Sequence, residues 1–133
     1  MRGASALDDL LAEFPEAPFR AQVVWEPVLM TDFAPPISRV LGLIDDPRVS
    51  QYWDPGHVVS DDIVRAVNEH PSRYGLDDKL PPEFIAWDVV AVFGRSARWE
   101  RDLPPPAHYA GPVADVIEQT RKALAGALAG SAP

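Results

Sequence analysis

Two carboxylates are the residues of this chain best suited to do chemistry. Glu26 and Asp88 each follow a tryptophan inside apolar sequence, as Trp25-Glu26 and Trp87-Asp88. Burial would raise the pKa of either acid and let it shuttle a proton for a neighbouring nucleophile. Period-2 alternation equally lets each face solvent at a strand end, and Pro27 puts Glu26 close to such an end. Ser5 stands near the start of a helical pattern. Without an adjacent base its hydroxyl is a weak nucleophile, and it reads as a helix cap. Asp54, His57, Asp61 and Asp62 form an acid/His cluster with the side-chain types that hold a divalent cation. Their spacing matches no ligand motif, and acids belong at a helix N-terminus for electrostatic reasons, so no metal or cofactor is expected. His70 and His108 stand alone and read as surface residues. The chain has no Cys, which removes disulfides, thiolate nucleophiles and Cys-type zinc sites together.

Elements must position these groups, and composition bounds them. A chain of 133 residues, 47% hydrophobic, suits one domain with a real core. Residues 1–129 are expected to form it, with 130–133 as a flexible tail. Twelve basic against 20 acidic residues give a net charge of −8, which argues against a nucleic-acid surface. No apolar run reaches the ~18 residues that would span a bilayer, and no signal-like start is present. The chain as given therefore reads as cytoplasmic. Fifteen Pro, about twice average usage, predict long connections.

Leu7, Leu10, Leu11 and Phe14 recur at i, i+3, i+4 and i+7, one face of a first helix. Ser5 followed by Asp8 resembles a capping box at its start. The segment 20–29 is β-branched and aromatic, a strand that Pro27 ends. The segment 37–44 predicts a short helix, and 45–49 a further helical turn capped by Asp46. Trp53-Asp54-Pro55-Gly56 reads as a turn. The segment 60–69 is helical, with Ile63, Val64 and Val67 as its stripe. The polar, broken stretch 71–82 should be the least ordered. The segment 84–93 is the strongest strand signal, apolar on both faces and so central, with 97–99 as a short partner. Leu103 to Pro106 reads as a stiff proline-rich connection, with a polyproline II ligand as the alternative. Val113, Val116, Ile117, Thr120 and Leu124 mark a last helix. Trp25, Trp53, Trp87 and Trp99 read as core or core-edge residues, with a groove lining as the alternative. The order is α/β with one strand too few for a comfortable sheet.

Several segments carry a likeness: Val24-Trp25-Glu26-Pro27-Val28-Leu29, Asp46-Pro47-Arg48-Val49, Tyr52-Trp53-Asp54, Trp87-Asp88-Val89-Val90-Ala91-Val92 and Gly111-Pro112-Val113. Together, and with the element order, they resemble a family of bacterial thioredoxin-like proteins over residues 2–124. The resemblance implies a thioredoxin-like α/β/α sandwich without its first, central strand. In the family that strand ends in a Cys-x-x-Cys-type motif, with selenocysteine in some members, followed by a segment like Arg2-Gly3-Ala4-Ser5. No catalytic residue of the family carries over. A selenocysteine codon taken as a stop would leave a chain that starts here. A mis-assigned start and a degenerate paralogue are the alternatives.

The resemblance implies kinship with thiol–disulfide or selenol oxidoreductases, without that activity in this chain. Ser5, Glu26, Asp88, Trp25 and Trp87 are the residues it would set around the missing motif. The alternative is a non-catalytic interaction module that pairs with a protein partner, or with itself, through an exposed strand edge. A sheet open at its centre loses main-chain partners at about 1–3 kcal/mol per buried group, so the chain is expected to be unstable or partly open.

Overall fold

The leucine period at the start of the chain becomes α1 (Arg2–Ala12), with Leu10 and Leu11 buried. The computed structural model describes residues 2–81 and 83–130. The expected tail is thereby cut to Gly130, and residues 131–133 lie outside the described residues. The helix begins at Arg2, so Ser5 lies inside its first turns and caps nothing, a correction to the capping-box expectation. The segment 20–29 forms a shorter strand, β1 (Ala21–Trp25). Beyond it, Asp32 accepts hydrogen bonds from the Val28 and Leu29 N–H groups at 3.0 and 2.8 Å and closes a turn. Helix α2 (Ser38–Leu41) keeps only the middle of its expected span.

The expected helical turn at 45–49 is overturned at its end. Val49 starts β2 (Val49–Trp53), which pairs parallel to β1 in the register Ala21↔Val49 to Trp25↔Trp53. Trp53 is therefore a strand residue, and the turn begins after it. Helix α3 (Val58–Glu69) follows, two residues longer at its start than expected. Its Val64 and Val67 are buried as the stripe requires.

Residues 71–81 are more ordered than their composition suggested, and the last residue of the stretch, 82, lies outside the described residues. Pro71–Tyr74 is a 3-10 turn, and Tyr74 is buried with Val67 and Leu103 in the core cluster. Asn68 fastens Leu80 with two bonds, donating to its carbonyl at 3.1 Å and accepting from its N–H at 2.7 Å. Tyr74 meets Tyr109 edge to face at 5.4 Å between centroids. Leu103, expected in an outlying proline run, is buried among these residues.

The long central strand at 84–93 is also corrected. Only β3 (Val90–Val92) is strand. Asp88 sits at φ 53°, in the left-handed region that breaks an extended run. Turn bonds from Phe84 N–H to Pro81 O and from Trp87 N–H to Ile85 O occupy the residues before it. The partner of β3 is not 97–99 but β4 (His108–Ala110), paired antiparallel. Ala97 instead closes a turn onto Gly94. The last helix, α4 (Val113–Ala129), packs on β3, β4 and α1.

The architecture is mixed helix and strand, with two separate two-stranded sheets, β1-β2 and β3-β4. No helix among the described residues is long and apolar enough to cross a membrane.

Candidate functional site

One end of the molecule gathers both candidate acids. The last residue of β1 is followed at once by Glu26, and α3 starts beside it. Asp54 caps α3, accepting from the Val59 N–H at 2.8 Å. His57, at φ 55°, sets its Nε2 2.7 Å from the Pro27 carbonyl, so Nε2 carries the proton and donates. Ser60, in the first turn of α3, is 1% exposed. Its hydroxyl oxygen accepts from the Ala86 N–H at 2.6 Å. Its own N–H lies on the Glu26 side and favours the charged form of that carboxyl. The exit of β1 and the approach to β3 therefore meet at one serine.

Asp88 lies two residues beyond Ala86. The Val113 N–H at the start of α4 donates to both the Asp88 carbonyl at 3.1 Å and its Oδ1 at 3.3 Å. The start of α1 closes over the same carboxylate. A Cβ added at Gly3 would stand 2.7 Å from Asp88 Oδ1, and one at Gly111 would stand 2.6 Å from the Asp88 carbonyl oxygen. The approach at Gly111 is to backbone and requires glycine, whereas a side chain at position 3 would oblige the Asp88 carboxylate to turn away. Helices α1, α3 and α4 thus all begin at this end, where their exposed N–H groups favour negative charge.

Glu26 is the unusual member. Its Oε2 is buried and has no hydrogen-bond partner. Burial pushes its carboxyl above the ordinary carboxylate range, and the negative charge of Asp54 pushes further, while His57 and the Ser60 N–H pull back. A raised acid binds its proton more tightly folded than unfolded. Its favourable contribution is full below its unfolded value and is lost as pH rises through the folded value. Glu26→Gln is therefore expected to raise the melting temperature by a few degrees at pH 7 and to leave it unchanged at pH 4. Thermal melts at the two pH values check this, and equal shifts at both would refute the burial argument.

The remaining candidates scatter. Ser5 is exposed on α1, in a shallow depression with Arg2, Asp9 and Leu43. The two tryptophans are not equivalent. Trp25 is half-buried and donates its ring N–H to Gln51 Oε1 at 2.9 Å, whereas Trp87 is 59% exposed and belongs to no strand. The acid/His cluster is taken up by structure: Asp54 caps, His57 latches Pro27, and Asp62 pairs with Arg65 at 2.9 Å. Among the described residues no group of His and acids is arranged to hold a metal ion. His108, expected at the surface, is half-buried with Nε2 3.2 Å from Thr120 Oγ1. His70 is exposed as expected.

Sequence reasoning missed Ser60. A serine near a helix start signals a cap, and its link to Ala86 crosses 26 residues. Compared with known proteins, the chain matches no family model, no curated sequence and no solved structure.

Proposed function

We propose that this chain is a thioredoxin-like domain, related to thiol–disulfide oxidoreductases, whose sheet is open at the place of one central strand. With no Cys it has no thiol of its own for exchange. The observation that carries the reading is the split sheet. A parallel pair, β2-β1, and an antiparallel pair, β3-β4, stand apart, with the approach to β3 fastened to Ser60 at the start of α3, beside Glu26 at the exit of β1. One added strand between β1 and β3 would unite them as β2-β1-new-β3-β4. Its run into α1 and on to β1 would be a β-α-β crossover. The end of that strand would lie near the start of α1, Glu26 and Asp88. A thiol held there would have its pKa lowered by the helix N-terminus.

Grafting tests this reading. An apolar strand ending in Cys-x-x-Cys is fused ahead of Arg2, and attack on an aromatic disulfide is followed at pH 6. Most ordinary thiols, with pKa about 8.5, are protonated there. The fused protein is expected to react at least ~10-fold faster than the same Cys-x-x-Cys peptide alone. Equal rates would defeat the proposal.

A second reading, a non-catalytic interaction module, draws on the connection after β1. Its turn is fixed by Asp32, yet Met30 is 94% and Phe33 88% exposed, with Leu29 and Ile37 also open. Exposed apolar residues clustered on an ordered loop mark interaction surfaces. A grafted protein that is stable but has no exchange activity would move the weight to this reading.

A further inference from the structure

We propose that the connection between β1 and α2 is a dimer interface, its exposed apolar face covered by the same face of a second copy of this chain across a two-fold axis. This names the partner for the interaction-module reading above and rests on it.

The main chain of the loop is already prepared for burial. A surface loop normally leaves backbone groups to water, and burying them unpaired is costly. Here most donors are used. Asp32 Oδ2 takes the N–H groups of Val28 and Leu29. The Asp32 N–H donates to the Leu29 carbonyl at 2.9 Å, and the Phe33 N–H to that of Thr31 at 3.1 Å. Pro35 and Pro36 have no N–H to satisfy. The root of the loop is held where His57 Nε2 donates to the Pro27 carbonyl. A backbone fixed before anything binds lowers the ordering cost of association.

The side chains do the reverse and stand in water. Leu29, Met30, Phe33 and Ile37 are each about two-thirds exposed or more. At about 150 Å² for a large apolar side chain, they present on the order of 500 Å² of apolar surface. One side of a standard interface covers about 800 Å², and about 65% of a homodimer interface is apolar. Each copy of such a dimer must therefore supply roughly 500 Å² of apolar surface, which these four side chains provide.

Charge selects the second copy. Asp32 is the single charged residue from 27 to 38, and its carboxylate is turned onto the loop's own N–H groups. A partner chosen by charge finds nothing to read on this face. A two-fold axis sets each patch against itself, which an apolar patch tolerates and a charged patch does not. The rest of the chain, at net −8, opposes pairing through long-range repulsion that salt screens.

Light scattering on the full chain, from micromolar to near-millimolar concentration, tests this. The mass is expected to pass from monomer to dimer and to stop there. Met30→Glu and Phe33→Glu should each raise the dissociation constant at least ~30-fold, as loss of a central contact does. The melting temperature of either variant at low concentration should be unchanged, because both side chains are exposed. Added salt should tighten the dimer. The chain has no Cys, so a bis-maleimide linker reads one introduced thiol at a time. Thr31→Cys, beside Met30, should cross-link at least ~10-fold faster than Lys122→Cys on α4, because the dimer raises the effective concentration of its partner thiol. A monomer at every concentration would overturn the proposal. So would a dimer that survives both glutamates, growth past the dimer, weakening by salt, or equal cross-linking at the two sites. Monomers that sediment with neutral phosphatidylcholine vesicles would make the occupant a lipid surface and overturn it as well. A monomeric chain leaves the interaction-module reading standing, since that reading falls instead if the grafted protein gains exchange activity.

Discussion

Replacing Arg48 by Met should lower the melting temperature by about 10 °C at pH 7. Its guanidinium is the clamp between the end of α1 and the start of the β1-β2 sheet. Nη2 donates to the Leu11 carbonyl at 3.0 Å, and Nη1 donates to the Phe14 carbonyl and, at 3.3 Å, to that of Ala17. Nε and Nη2 grip Asp46 at 3.0 and 2.6 Å, and the group stacks 4.3 Å above the Phe19 ring. The Arg48 carbonyl meanwhile accepts from Ala21 at the start of β1. Methionine fills similar space but removes three hydrogen bonds to carbonyls that each keep one main-chain donor, the N–H of Phe14, Ala17 and Phe19 in turn. At about 1 kcal/mol each that is about 3 kcal/mol, and a domain of this size loses about 4 °C per kcal/mol. Arg48→Lys should recover less than half, because an ammonium cannot span the fork of acceptors. A scanning calorimetry melt decides it: a drop below about 3 °C would mean that water replaces the clamp without loss.

The same clamp sets an acid limit. The Arg48 side chain, above all by its hydrogen bonds, holds the Asp46 carboxyl down to about 2, against 3.8 for the unperturbed group. A depressed acid contributes above its unfolded value and loses that contribution as pH falls through the folded one. The window is therefore pH 4 to pH 2, and the slope of melting temperature against pH in that window should flatten in Arg48→Met.

Local signals were readable where one element carried its own period. The leucines of α1, the stripe of α3 and the long last helix come straight from 3.6-residue spacing. What failed depended on distant partners. Strand β2 is stabilised by β1 across 28 residues in register, and nothing within 45–53 says so beside the turn signals of Asp46 and Pro47. The run 84–93 has the composition of a buried strand, but Asp88 leaves the extended region because its carbonyl and carboxylate both serve the first N–H of α4. Tyr74, Leu80 and Leu103 lie in polar or proline-rich stretches and still reach the core, because Asn68 and Tyr109 hold their segments there. Of the candidate site residues, Glu26 is an acid in apolar sequence whose Oε2 is buried without a partner. The paired tryptophans take different places, Trp25 bonded to Gln51 and Trp87 facing solvent.

Ser60→Ala should cost about 2 kcal/mol and lower the melting temperature by about 8 °C. The Ala86 N–H loses its acceptor at a position where Ala86 is itself buried, and an unsatisfied buried donor costs about 1–3 kcal/mol. The change is selective because the serine makes two contacts with different groups. Its hydroxyl holds the approach to β3, whereas the influence of its main-chain N–H on the Glu26 charge survives the substitution. Amide exchange at Ala86 should accelerate more than ~10-fold relative to amides in the middle of α3, and the pH dependence of Glu26→Gln should persist in the double variant. The two stability changes should then add to within about 0.5 kcal/mol, as expected for contacts that share a residue but no atom. Uniform acceleration across the chain would instead make Ser60 an ordinary buried residue. A loss of the Glu26 effect would show that the exit of β1 and the approach to β3 are coupled through the α3 start.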